Sequence, residues 1–412
     1  MNENDYYDPS LNSKIGKRFV TLCAILSIVI GIVILIFYIK KVSDTFDIHI
    51  PINLTNYGVL GDFIGGVVGT FFSLGGFFLL YLTLKDQRDN FHKERLELAF
   101  FERIKFHGDN INEMTYKYFA DDSWINIQGR EVFKVIFTQF NEAWSESKIL
   151  FDSFDVNFIY EKEYLYKLQS NQQIKERKID LKEMAQIDLI YLIIYYGVND
   201  KEKMVIENLT KNRYNSNFIN YLLDLIELKP QKQNTEYWEK WNFINKLSNI
   251  DNKSKAFHNL IQLHLGKLNN NEIKGFYPEN QNGKKFLYPA NMCIYDSKYS
   301  KYYTGFQYFL GHYYRHIFQT IKFIQNEKYL LKNEKYNYIK VLRGQLSNYE
   351  QLIFFLNSLS VSGRIWESFD VDNNTSQTLL SEYHLIKNIP VRYIQNIDVL
   401  RYYPNIKYEL IK

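Results

Sequence analysis

Cysteine is nearly absent from this chain. Cys23 and Cys293 are the two that 412 residues hold. Neither a disulfide framework nor a cysteine-based zinc site can be built from them, and a reducing compartment is consistent with that. Proline is also scarce, at seven, and many of the nineteen glycines fall in one apolar segment. With so few breakers the rest of the chain should be helical. A strong charge of one sign is missing too. Fifty Lys and Arg face 46 Asp and Glu, a net charge of +4, too mild to imply a nucleic-acid partner. Several enzyme signatures are absent. Gly283-Lys284 has no glycine five residues earlier, so there is no phosphate loop. No G-x-S-x-G elbow occurs. Arg103 and His107 stand one residue short of the R-x4-6-H spacing of a class of helical ribonucleases. No cofactor motif and no internal repeat is found.

Aromatic residues are abundant, at 17%, with 34 Tyr and 31 Phe. The richness in Tyr, Asn, Lys and Ile has the look of an AT-rich coding sequence. Two long apolar runs are also present. Phe19 to Ile39 carries no charge over 21 residues. As a helix it spans roughly 30 Å, the thickness of a hydrocarbon core. It is too long for the apolar region of a signal peptide and ends in Phe-Tyr-Ile-Lys-Lys rather than in small residues. Phe63 to Leu84 is the second uncharged run. Gly61, Gly65, Gly69 and Ser73 recur every four residues there, a small-residue face that suits packing against the first helix or a second copy of the chain. Tyr38 and Tyr81 suit the interfacial belts.

Lys14, Lys17 and Arg18 precede the first run, and Lys85, Arg88, Lys93 and Arg95 follow the second. The connecting loop has Lys40 and Lys41 beside Asp44 and Asp47. The positive-inside rule therefore places both termini in the cytosol, with a short tail over 1–18, a transmembrane hairpin over 19–84 and a helical cytosolic domain over 85–412. The expected fold is mainly α. Leu96, Phe100, Ile104 and Ile111 extend the second helix as a charged stalk. Further helices are expected near 130–150, 159–176, 183–196, 216–227, 235–247 and 254–266. Residues 268–299, rich in Asn, Gly and Pro, read as a loop or insertion. Helices near 300–326 and 335–360, a turn at 370–376 and a short helix before Pro390 complete the chain.

One polar stripe stands out. His312, Arg315, His316 and Gln319 share a face of an otherwise apolar and aromatic helix. Two histidines at i, i+4 can chelate a metal, but no glutamate follows the first and no third ligand is evident. His and Arg together can also bind a ligand or act in catalysis. A satisfied structural network explains the same stripe. If the helices near 300–326 and 335–360 pair, Arg343 and Glu350 are expected to face His312, Arg315 and His316. His258 and His264 read as ordinary surface or core residues.

Several blocks are shared, in order, with a known family: GDFIGGVVGTFFSLGGFFLLYLTLKDQ, LELAFFERIKFHGDNI, GREVF at Gly129, LGHYYRHIFQTIKFI at Leu310, LRGQLSNYEQLIFFLNSLS at Leu342 and YHLIKNIP at Tyr383. In these the chain resembles the phage abortive infection proteins of the AbiC-like family. It differs in having Gly344 where Ala is common, and it matches only patchily over about 135–300. The resemblance implies a bacterial defence role in which an infected cell halts before phage matures. It carries no settled catalytic residues. Three readings stay open: a defence protein at the inner face of the cell membrane that answers a phage-derived trigger; a membrane-tethered nuclease or metal-dependent hydrolase using His312, Arg315, His316, Arg343 and Glu350; and a membrane-perturbing effector that works as a homo-oligomer.

Overall fold

The computed structural model describes residues 9–43, 54–120, 123–246, 300–367, 378–389 and 397–409. The insertion expected at 268–299, the helix at 254–266 with His258 and His264, the turn at 370–376 and Cys293 lie outside the described residues. The chain is mainly helical. It divides into two compact units, residues 1–103 with 326–331 and residues 104–325 with 332–412.

In the first unit α1 (Pro9–Ser43) takes up the first apolar run. The second run begins in α2 (Leu54–Phe63), passes through one π-helical turn (Ile64–Val68) and continues in α3 (Gly69–Asn112), so the apolar run and the charged stalk form one helix. α1 lies antiparallel to this segment. Lys17 Nζ sits 2.5 Å from Asp86 at one end, and Tyr38 stacks on Phe63 at 3.9 Å at the other. Between them, a Cβ on Gly75 would fall 2.7 Å from Ile28 and 3.3 Å from the Ala24 carbonyl oxygen, and one on Gly31 would fall 3.2 Å from Phe71. Gly75 and Gly31 therefore set the approach of the two helices.

The stripe read from the sequence lies elsewhere. A Cβ on Gly61 or Gly65 would meet nothing within 4 Å, one on Gly69 would meet only the Ile64 carbonyl oxygen, and Ser73 is exposed. The wider π turn inside the stripe shifts its register, so a four-residue repeat does not hold to one face there. The outer faces of both helices are apolar and exposed, with Phe19, Leu22, Val33 and Phe37 on α1 and Phe77, Leu80 and Leu84 on α3. Both helices are long and apolar enough to cross a membrane, and only 17% and 11% of their most apolar windows are buried.

The second unit is built around α8 (Leu181–Tyr196). Its sequence, LKEMAQIDLIYLIIYY, is apolar on every side from Met184 to Ile194, and all eleven of those residues are buried. A helix of that kind is stable only when enclosed. α4 (Glu131–Ser153), α5 (Val156–Ile159), α9 (Asp200–Thr210), α12 (Gln307–Gln325) and α14 (Asn348–Leu359) pack against it, and α10 (Ser216–Glu227) packs on α4. α6 (Lys162–Ser170), α7 (Gln172–Glu176), α11 (Thr235–Asn245), α13 (Lys332–Gln345), α15 (Leu379–Tyr383) and α16 (Val399–Tyr402) complete the helices.

Many polar groups of this core are satisfied in pairs and chains. Asp188 on α8 accepts from the Tyr214 hydroxyl at 2.7 Å and the Val361 N–H at 2.8 Å, with the Arg364 guanidinium 3.6 Å away. Lys229 donates to Glu142 at 2.6 Å and Glu146 at 2.8 Å, while Tyr303 donates to Glu146 at 2.7 Å.

Several elements differ from the sequence reading. Residues 115–128 form an antiparallel hairpin, β1 (Thr115–Ala120) and β2 (Ser123–Gln128), paired from Thr115–Gln128 to Ala120–Ser123. The helix expected at 159–176 is three short ones, and α9 was not foreseen. The helix expected at 335–360 is two, broken at Leu346-Ser347. There Ser347 accepts from the Glu350 N–H and the Glu350 carboxylate accepts from the Ser347 N–H, a reciprocal cap that starts α14. The helix expected from 300 starts at Gln307, because Gly305 holds a positive φ of 86° against the C-terminal end of α8. A Cβ on Gly305 would fall 2.3 Å from the Tyr196 carbonyl oxygen.

Gly305→Ala is therefore expected to destabilise the second unit by about 2–3 kcal/mol or more, through left-handed backbone and a backbone clash together. Gly344, in α13, has open space around its missing Cβ. Gly344→Ala is expected to stabilise by about 0.5–1 kcal/mol. Thermal unfolding of the two detergent-solubilised variants beside wild type checks both signs. Equal melting for Gly305→Ala and wild type would contradict the packing described.

Candidate functional site

α12 carries the stripe QYFLGHYYRHIFQ. Its buried side, Leu310, Tyr313, Tyr314, Ile317 and Ile321, faces the core. At about 100° per residue, Tyr308, His312, Arg315 and Gln319 fall within some 60° of one another, whereas His316 lies about 40° beyond His312 on the opposite flank. The structure uses the two flanks differently.

Tyr308, His312, Arg315 and Gln319 line a cavity of about 660 Å³ together with Gln307, Phe318, Tyr195, Asn357, Ser362, Ile365 and Trp366. This is an ordinary size for a small-molecule site. Its floor is held by a hydrogen-bond chain. Asn357 Nδ2 donates to the Tyr191 hydroxyl at 3.1 Å, Tyr191 donates to Tyr314 at 3.1 Å, and Tyr314 donates to the Ile353 carbonyl at 3.2 Å. Trp366 Nε1 donates to Asn357 Oδ1 at 3.0 Å. The Asn357 side chain is thereby fixed from both ends, and Tyr314 and Trp366 are fixed with it. Arg315 is exposed, and its Nε donates to the Gly311 carbonyl at 3.0 Å. Tyr308 stands at the rim, 76% exposed, edge-on to His312. Among the described residues no acidic side chain lines the cavity.

His316 turns instead toward a buried cluster. Its ring stacks at 6.1 Å on His107, which α3 supplies. His107 is 1% exposed, and both of its ring nitrogens lack a hydrogen-bond partner. Its Nε2 lies 3.8 Å from a carboxylate oxygen of Glu350, which is 0% exposed. Glu350 also accepts from the Tyr313 hydroxyl at 3.0 Å and lies 3.4 Å from Arg130 Nε. Burial, with His316 and Arg130 nearby, lowers the His107 pKa to about 4. Burial raises that of Glu350, against the Ser347 hydrogen bonds that lower it. The sequence signal for His107 was its place on the apolar face of Phe100, Ile104 and Ile111, where a histidine is out of character.

The five-residue constellation therefore does not assemble. His312 and Arg315 line the cavity, and His316 and Glu350 belong to the buried cluster. Arg343 lies elsewhere, donating to the carbonyls of Tyr383 at 3.0 Å and His384 at 3.3 Å, where it caps α15. The break before Ser347 separates Arg343 from Glu350, so Arg343 does not pair with the stripe, while Glu350 meets His107 beside His316. Among the described residues no three His, Cys, Asp or Glu side chains gather as metal ligands, at His312 and His316 or elsewhere. Tyr308, Phe318 and Trp366 were not singled out in the sequence. Tyr308 was within reach, one helical turn before His312. Trp366 comes from a turn region with no periodicity to read.

Residues 305–394 match the family model described as "putative phage abortive infection protein". No curated protein and no solved structure matches the chain. The matched segment spans α12 to α15 and includes every residue lining the cavity except Tyr195.

A folded-state pKa for His107 below its ordinary value means that its contribution to stability is full above about pH 6.5 and is lost as pH falls toward 4. The contribution at stake is on the order of 3 kcal/mol. Glu350, raised by burial, works with the opposite sign, and Arg130, His316 and Tyr313 are the other groups facing the ring. His107→Leu should hence flatten the acid limb of the stability profile relative to wild type while leaving the fold intact at neutral pH. Denaturant unfolding of the solubilised protein at several pH values measures this. Parallel acid limbs in the two proteins would contradict it.

Proposed function

We propose that this chain is a membrane-anchored phage-defence protein whose second unit holds the working site in the cavity on α12. The observation that carries the reading is the match of residues 305–394 to the abortive infection family, which falls on the segment that builds the cavity. Membrane anchoring is supported by two helices whose apolar faces are exposed rather than packed, unlike a core helix of a water-soluble domain. An antiparallel pair returns the chain to the side it left. Lys17 and Arg18 before the first run, and Lys85 and Arg88 after the second, support the reading that this side is the cytosol of the bacterial cell, at its inner membrane.

The defence role is tested by phage challenge of cells expressing wild type or His312→Ala/Arg315→Ala, with equal amounts of protein verified in the membrane fraction. Both side chains are exposed, so the double variant should fold. The expected result is a drop in protection of about tenfold or more, the cost of removing two groups that meet a charged ligand. Undiminished protection would remove the cavity from the mechanism.

Anchoring is tested separately. After alkaline carbonate extraction the full chain should stay in the pellet, and a cysteine placed at Ser10 should resist an impermeant thiol reagent in intact cells. Release into the supernatant, or labelling from outside, would refute anchoring or orientation respectively.

A further inference from the structure

The cavity on α12 is chemically one-sided. Among the described residues the basic side chains along its wall are Arg315 and His312, and no Asp or Glu lines it. The nearby buried carboxylates are engaged by other groups: Asp188 by Tyr214 and the Val361 N–H, Glu350 by Tyr313 and Ser347, and Glu367 by Ser381. The guanidinium of Arg315 is tethered through Nε to its own helix, and among the described residues its terminal nitrogens have no protein acceptor, so they are open to a ligand. The remaining wall is aromatic and amide. Phe318 packs edge-on against Trp366 with ring centroids 5.4 Å apart, Tyr308 and Ile365 are exposed at the rim, and Gln307 and Gln319 offer amides.

A guanidinium beside an imidazole that can donate a hydrogen bond suits a phosphate or carboxylate. A rim tyrosine suits stacking on a flat ring, and the amides suit hydrogen bonding to its edges. The volume of about 660 Å³ accommodates both parts at once. We propose that this cavity binds a mononucleotide, with the phosphate on Arg315 and His312 and the base against Tyr308. The inference rests on the reading of the same cavity as the working site and names the class of ligand that would control it.

The test uses the full chain in detergent and four probes taken in turn: AMP, GMP, CMP and UMP, with adenosine and inorganic phosphate as the ring-only and charge-only arms. Binding is read by calorimetry. At least one mononucleotide should bind saturably, and more tightly than either adenosine or phosphate. Arg315→Ala and Tyr308→Ala should each weaken it by about tenfold. Arg315→Lys should recover part of the loss, because a point charge replaces the fork. Near-ultraviolet circular dichroism and the melting temperature, unchanged in these exposed-site variants, show that folding is retained. The proposal is overturned if no mononucleotide binds, if phosphate alone binds as tightly, or if Arg315→Ala binds like wild type.

Phage challenge of Arg315→Ala separates the two claims. Nucleotide binding lost with protection intact would uphold the ligand class and refute the defence role of the cavity. Protection lost in a protein that never bound nucleotide would do the reverse.

Discussion

α8 has no face to give to water. Eleven consecutive residues from Met184 to Ile194 are buried, and three of them, Gln186, Asp188 and Tyr191, bring polar atoms into the second unit. Enclosing the apolar residues draws in α4, α12 and α14. Satisfying the polar ones fixes how those helices sit. Asp188 requires the Tyr214 hydroxyl and the backbone just after α14, and the Tyr191 hydroxyl requires Asn357 and Tyr314. An apolar contact tolerates sliding, whereas a buried hydrogen bond left unmade costs about 1–3 kcal/mol, so these pairs select one register among several of similar burial. The cavity on α12 inherits its shape from them, since Tyr314, Asn357 and Trp366 are both its floor and the end of this chain.

The first unit answers to a different constraint. Its helices meet through Gly31 and Gly75 and leave large apolar side chains outside. In water such a pair would expose more apolar surface than it buries. In a hydrocarbon solvent the same surface is no liability, and close backbone approach becomes the main source of cohesion. Lys17 beside Asp86 and Asp89 then marks the level at which charge returns. The pairing gains little from desolvation at that exposed position and is better viewed as a boundary than as a clamp.

The features legible in the sequence were those with a period. The two apolar runs, the stalk, α4, α8, α10 and α12 follow from helical spacing or unbroken apolarity. The failures have local causes. The hairpin at 115–128 is short, and its alternation of Tyr, Phe and Ile was masked by the surrounding aromatic-rich composition. The break at Ser347 was written in the sequence as Ser-Asn-Tyr-Glu, a reciprocal cap, but the apolar seam runs on either side of it and hides the interruption. The glycine stripe does not meet α1, because a π turn changes the period inside it. At the site, the helical stripe located Arg315 and His312, but a shared face is only a range of angles. It could not divide His312, which meets the cavity, from His316, which meets His107.

The division of those two histidines has a chemical consequence. His107 and Glu350 are both buried within 4 Å, a carboxylate beside a ring whose nitrogens have no other partner. In water a proton would settle between them. Here burial disfavours charge on each, and Arg130 beside Glu350 opposes a second cation on His107. The cluster therefore holds its histidine neutral and keeps its carboxylate occupied with Tyr313, Ser347 and Arg130. The two flanks of α12 thus end with opposite characters: one spends its charges internally, and the other presents Arg315 and His312 to an open cavity. The rotation of about 40° between His312 and His316 is what turns the two rings to different neighbours.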